Sequence, residues 1–115
     1  MKIAVPTQGD RGLKDRVADT FSRAPYFTLI TIDNRSISGK KVIRNKASDL
    51  KQGAGPLAAR TLKENGVDVI LSGEIGPGAT NILGALGIRI GGASQDEKVG
   101  DAIERYLASI SPEMS

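Results

Sequence analysis

Residues 72 to 78 read Ser-Gly-Glu-Ile-Gly-Pro-Gly, directly between the apolar run Val67 to Leu71 and a helix-like stretch. A glycine-rich turn at that place leaves backbone N–H groups free to meet an anionic guest. Two further turns offer the same chemistry: Gln52-Gly53-Ala54-Gly55-Pro56 before a helix and Gly91-Gly92-Ala93-Ser94 after a short strand. Turns that follow parallel strands and precede helices gather on one side of an α/β sheet. Thr7, Gln8, Gly53, Gly55, Gly73, Gly76 and Gly78 are therefore expected to converge there, close to Arg23. The same glycines also fit a plainer role, permitting tight packing between strand and helix. None of the turns matches the phosphate loop Gly-x-x-x-x-Gly-Lys-Ser/Thr or the dinucleotide pattern Gly-x-Gly-x-x-Gly.

The chain contains no His and no Cys. It offers neither imidazole nor thiolate to a transition metal, and Ser72 and Ser94 have no His to activate them as nucleophiles. Two-metal hydrolysis on such a sheet needs convergent carboxylates, beginning with one on the first strand, and Lys2 to Thr7 has none. Glu74 is the one acid inside a glycine turn and reads as a charge at a helix start. The residues thus point to a non-catalytic protein. Three of the four aromatic residues fall in Phe21-Ser22-Arg23-Ala24-Pro25-Tyr26-Phe27. Either Phe21 and Phe27 fill the core around a solvated Arg23, or Arg23 aims its planar fork of donors at an oxyanion.

The elements that would position these groups follow from periodicity. Lys2 to Thr7 is short and almost continuously apolar, as a central strand covered on both faces should be. Residues 8 to 20 read as a polar loop anchored by Leu13 and Val17. Tyr26 to Asp33 and Ser36 to Asn45 form two β segments joined by Asn34-Arg35, an antiparallel hairpin. Residues 46 to 52 read as linker. Pro56 to Asn65 predicts a helix stopped by Gly66, Val67 to Leu71 a buried strand, Pro77 to Leu86 a second helix and Ile88-Arg89-Ile90 a short strand. Ser94-Gln95-Asp96-Glu97 has the form of a capping box. Val99, Ala102, Ile103, Tyr106 and Leu107 then make an amphipathic helix whose start can shift to Asp96 or Lys98. The order predicts one mixed five-stranded sheet with helices packed on it, in a single domain over residues 1 to 115. Ile3 to Val5 and Val67 to Leu71 are expected to be parallel neighbours at its centre, with Ser36 to Asn45 at an edge.

The net charge of +3 hides an asymmetry. Residues 1 to 51 hold 11 Lys and Arg against 5 Asp and Glu, and residues 52 to 115 hold 5 against 8. Lys40, Lys41, Arg44, Lys46 and Lys51 carry much of the excess, a spacing that suits a nucleic-acid patch or an edge strand guarded against aggregation. No aromatic is interleaved for base stacking, which favours the edge and disfavours nucleic acid as a partner. Without a long apolar run or a signal-like start, the expectation is a cytoplasmic protein away from membranes.

Taken together, the Phe21 to Phe27 signature, Gly53-Ala54-Gly55, Gly66-Val67-Asp68-Val69-Ile70, Ser72 to Ala79, Gly87-Ile88 and Ala102 to Leu107 resemble the dinitrogenase iron-molybdenum cofactor biosynthesis family, the NifX/NifB C-terminal-like or nitrogenase accessory factor-like proteins. The resemblance covers almost the whole chain. It implies a ribonuclease H-like α/β fold and a role in binding or carrying an iron-molybdenum-cofactor-type metal-sulfur cluster without turnover, in exchange with donor or acceptor proteins. The family often has Gly where Ser22 stands and His where Gln52 stands. The second difference removes a metal ligand, so a molybdenum- or iron-containing sulfide cluster would have to be held without His or Cys. Such clusters are anionic, which the N–H groups, hydroxyls and Arg23 suit. A small-anion or nucleotide-phosphate binder, and a protein-interaction module with no small ligand, remain as the other readings.

Overall fold

The computed structural model describes residues 1–110. Five strands form one sheet: β1 (Lys2–Thr7), β2 (Tyr26–Asp33), β3 (Ser36–Arg44), β4 (Val69–Ser72) and β5 (Arg89–Gly92), in the order β3-β2-β1-β4-β5. β1 runs parallel to β4 and antiparallel to β2, and β4 is parallel to β5, so the sheet is mixed. Three helices pack on it: α1 (Ala54–Glu64), α2 (Pro77–Ala85) and α3 (Val99–Ser109). The continuous apolar pattern of β1 and β4 has its counterpart in their central position. The lysine-bearing β3 lies at an edge, where among the described residues its outer N–H and C=O groups have no strand to pair with.

Side-chain alternation divides the core in two. Ala4, Leu29 and Ile70 point to the face covered by α1 and α2, where they meet Ala58, Leu62 and Leu83. Ile3, Val5, Ile30, Ile32, Val69 and Leu71 point to the other face, which α3 covers with Val99, Ala102 and Ile103. The hairpin turn has both central residues at positive φ, Asn34 at 51° and Arg35 at 64°, the conformation whose twist matches that of the paired strands. Arg35 then reaches α3, donating to the carbonyls of Leu107 and Ile110.

Several boundaries differ from the sequence expectation. α1 begins two residues before Pro56, with Gly53 at φ 74° as its N-cap, because a proline in the first turn loses only an N–H that has no helical partner anyway. β5 takes in Gly91 and Gly92, which the sequence suggests as a turn. A Cβ on Gly91 would lie 2.6 Å from Leu71 Cδ2, so glycine there lets strand and core close up. The linker contains a 3-10 turn, Lys46–Asp49, capped by Asn45.

The loop over residues 8 to 20 is more ordered than its polarity suggests. Asp15, Val17 and Ala18 are buried, and Arg16 and Val17 bridge to Lys98 and Thr7. This pairing also displaces the capping box. Val17 donates to the Glu97 carbonyl and accepts from Asp96, whose φ of 66° breaks the helical path. Ser94 N still donates to Glu97 Oε1 at 3.0 Å, but α3 starts at Val99 with Lys98 as N-cap. Long-range pairing here outweighs a local helix signal.

Candidate functional site

The N-termini of α1 and α2 lie side by side. A Cβ added to Gly55 would be 3.3 Å from Ala79 Cβ, so the absence of a side chain at 55 sets how closely the two helices approach. Both helices have a glycine N-cap, Gly53 and Gly76, with no side-chain capping bond and no acidic residue in the first turn. Each end therefore keeps first-turn N–H groups and the positive pole of its dipole uncompensated by its own side chains.

A cavity of about 460 Å³ opens at this junction, walled by the segment Asp19 to Arg23. Gly55 and Pro56 of α1 border it, as do Glu74 and Gly76 of the β4–α2 loop and Gly78, Ala79 and Ile82 of α2. Phe21 also borders it, but its ring belongs to the core, packed on Phe27 with centroids 5.6 Å apart. Carbon surface of Pro56, Ala79 and Ile82 lies beside two helix ends, Arg23 and the acidic residues Asp19 and Glu74. That combination suits a guest with negative charge and a large, weakly hydrated surface.

Two side chains hold this wall in place. Asn45 is fully buried; its Nδ2 donates to the Ser22 carbonyl at 3.0 Å and the Ala24 carbonyl at 2.8 Å, while its Oδ1 accepts from Ala47 N. Arg23 is exposed and donates to the carbonyls of Leu50 and Lys51, the latter at 3.1 Å, tying the wall to the segment that leads into α1. Phe21 and Phe27 are core, as the first sequence reading expects, while Arg23 is exposed but tied to carbonyls rather than simply solvated. A guanidinium has five N–H donors, so these two bonds leave others for a guest.

Of the residues expected to converge, the structure brings Arg23, Gly55, Gly76 and Gly78 to one cavity. Gly53 stands just outside as the α1 cap, and Gly73 at the end of β4 is turned toward the Ala93 carbonyl, 3.4 Å from where its Cβ would be. Thr7 and Gln8 lie elsewhere. Thr7 shares the parity of Ile3 and Val5 and so faces α3; it bonds the Gly9 carbonyl at 2.9 Å and Thr28 Oγ1 at 3.2 Å. Gln8 donates to Asp96 Oδ1 and the Val17 carbonyl. Strand-end position alone indicates which end of the sheet, whereas alternation decides which face.

Asp19, Thr20, Pro56, Ala79 and Ile82 also line the cavity without having been singled out. Asp19 falls in a stretch that reads as featureless loop, so no local signal marks it. Glu74 was visible in its glycine turn; it precedes α2 by three residues and lines the cavity. Among the described residues the buried Ser72 hydroxyl has no hydrogen-bond partner. Among the described residues no three His, Cys, Asp or Glu side chains are grouped to hold a metal ion. A metal-sulfur guest would have to be held through its sulfide surface and charge. Nor is any described helix long and apolar enough to cross a membrane.

The chain has relatives among known proteins. An uncharacterised protein of Methanocaldococcus jannaschii is 32% identical over 90 residues, covering 78% of this chain and 72% of its own. The apo form of the orange protein from Desulfovibrio gigas superposes with a TM-score of 0.84 at 33% identity, over 93% of this chain and 87% of that one. A Thermotoga protein provisionally named NifB gives a TM-score of 0.77 at 26% identity, over 94% and 88%. The mixed sheet with its three helices is shared with these structures. Residues 1–109 match the model of the family described as dinitrogenase iron-molybdenum cofactor, and the chain belongs to that family.

Proposed function

We propose that this chain, as a single domain, is a small cytoplasmic carrier that binds an anionic metal-sulfur cluster of the iron-molybdenum-cofactor type and does not turn it over. The cavity at the paired N-termini of α1 and α2 is the proposed seat, with Arg23, Gly55, Gly76 and Gly78 at its border. The observation that carries the reading is the pair of glycine-capped helix ends, neither compensated by an acid in its first turn. Backbone dipoles and a guanidinium attract negative charge, while the half-buried Ala79 and Ile82 offer carbon surface to sulfide. Membership of the family supports the nature of the cargo. Holding without protein-metal bonds suits a carrier, because release then breaks no coordinate bond. Transfer to and from a donor or acceptor protein follows as part of the proposal.

Anaerobic reconstitution tests this. Protein incubated with molybdate or iron and sulfide, then desalted, should retain visible absorption. A colourless protein whose melting temperature rises with phosphate would be a phosphate binder instead. A protein that responds to neither would leave the interaction-module reading.

A further inference from the structure

A trough lies between α1 and the edge strand β3, on the face that α1 and α2 cover. Cross-strand partners share a face, so Gly39, Lys41 and Ile43 point the same way as Thr31, Leu29 and Phe27, the last two of which belong to the core under α1. Two depressions of about 250 and 340 Å³ follow the strand, and both border Asn65 at the end of α1. Half-buried Ile43 and Leu57 give the trough carbon surface. None of its lining residues borders the cavity at the helix N-termini. Its charge is one-sided and comes from separate elements. Lys2 of β1, Lys40, Lys41 and Arg44 of β3, and Lys46 of the following turn line it against one acid, Glu64. Lysines that only guard an edge strand would sit on that strand, and Lys2 and Lys46 do not. Arg44 pairs with Asp49 at 3.3 Å, whereas among the described residues Lys40, Lys41 and Lys46 have no ion-pair partner.

Gly39 is an independent sign. Glycine inside a strand weakens it, and commonly marks a bulge or a place where another backbone comes close. The register shifts beside Gly39, between Thr31 and Ile32, but its φ is not positive, so this is not the kind of bulge that needs a left-handed glycine. Nor does packing call for it, because a Cβ there would meet Thr31 at an ordinary 3.6 Å. What the missing side chain does is leave the trough open. We propose that the trough docks an extended acidic segment of a partner protein, with carboxylates on Lys41 and Lys46 and its backbone passing over Gly39. Nucleic acid suits it less well, since no aromatic ring lines the trough for a base to stack on. Docking there requires nothing of the cavity at the helix N-termini.

Fluorescence anisotropy with a short labelled peptide of alternating Glu and Val tests it, beside the matching Gln–Val and Lys–Val peptides and a labelled DNA duplex. Wild type should bind the Glu–Val peptide in preference to the other three probes, and more weakly as salt rises. Lys41→Gln/Lys46→Gln should lose about tenfold, the scale of two part-exposed ion pairs. Lys63→Gln/Lys98→Gln removes the same charge from exposed positions outside the trough and should lose less than about threefold. Lys41→Glu/Lys46→Glu should turn the preference toward the Lys–Val peptide; if that protein does not fold, the Lys→Gln pair decides. Gly39→Val should melt no lower than wild type and yet bind the Glu–Val peptide about tenfold more weakly, because a side chain there fills the trough without straining the strand. No binding of the Glu–Val peptide, equal losses in the trough and control variants, or a Gly39→Val protein that binds like wild type would each overturn the proposal. Tighter binding of the duplex than of the peptide, lost in the same variants, would overturn the protein segment as the occupant and put nucleic acid in its place.

Discussion

Arg23 Nη2 sits 3.1 Å from the Lys51 carbonyl, so the arginine that borders the cavity also fastens its wall to the segment entering α1. Arg23→Ala should then have two effects. Loss of two exposed charge-assisted bonds should lower stability by about 1 kcal/mol, and loss of the positive charge should weaken anion binding by about 1.5 to 3 kcal/mol. Arg23→Lys should restore part of the affinity, because the charge remains while the planar fork is lost. Urea unfolding and anion titration on the same three proteins separate the two effects.

Asn45 makes a larger structural contribution. Asn45→Ala strands the Ser22 and Ala24 carbonyls and the Ala47 N–H in a buried site. The expected loss is about 2 to 4 kcal/mol by chemical denaturation. Asn45→Asp should recover only the bond to Ala47, since a carboxylate cannot donate to the two carbonyls.

Two glycines should respond in opposite ways. A Cβ at Gly76 would have open space within 4 Å among the described residues and the residue has φ −63°, so Gly76→Val should cost about 1 kcal/mol or less in stability while filling the cavity mouth and blocking binding. Gly91→Ala instead drives a methyl into Leu71, which is fully buried, and against the Tyr106 ring at 3.4 Å. It should destabilise by about 1 to 3 kcal/mol and leave binding by the folded fraction unchanged. Thermal unfolding with and without ligand checks both.

Ser72 holds a buried hydroxyl that has no partner among the described residues. Removing an unsatisfied hydroxyl relieves a desolvation cost, so Ser72→Ala should unfold at equal or higher denaturant concentration, by up to about 1 kcal/mol. A clear loss of stability would show that the hydroxyl has a bond partner.

Much of this architecture is legible in the residues. The unbroken apolar runs of β1 and β4 and the lysines of β3 place centre and edge, and Asn34-Arg35 marks the hairpin, because each is a local pattern with a local cause. The capping box at Ser94 is also a local pattern, yet residues 96 to 98 are held by Arg16 and Val17, some eighty positions away. Thr7 shows the same limit at the site: its chemistry suits an anion cradle, but strand alternation turns it to the α3 face. Asp19 lines the cavity at the start of a segment whose Ser22 and Ala24 carbonyls are held by Asn45, more than twenty positions away, a constraint that no spacing in the sequence announces.

The central claim is that negative charge is held by backbone dipoles and Arg23 at the junction of α1 and α2. Optical titration with tetrathiomolybdate at two salt concentrations, on wild type, Arg23→Ala and Gly76→Val, tests it most directly. Saturable binding by wild type that weakens with salt, falls by tenfold or more in Arg23→Ala and is abolished in Gly76→Val is the expected result. Binding that is independent of salt and unchanged in both variants would contradict it.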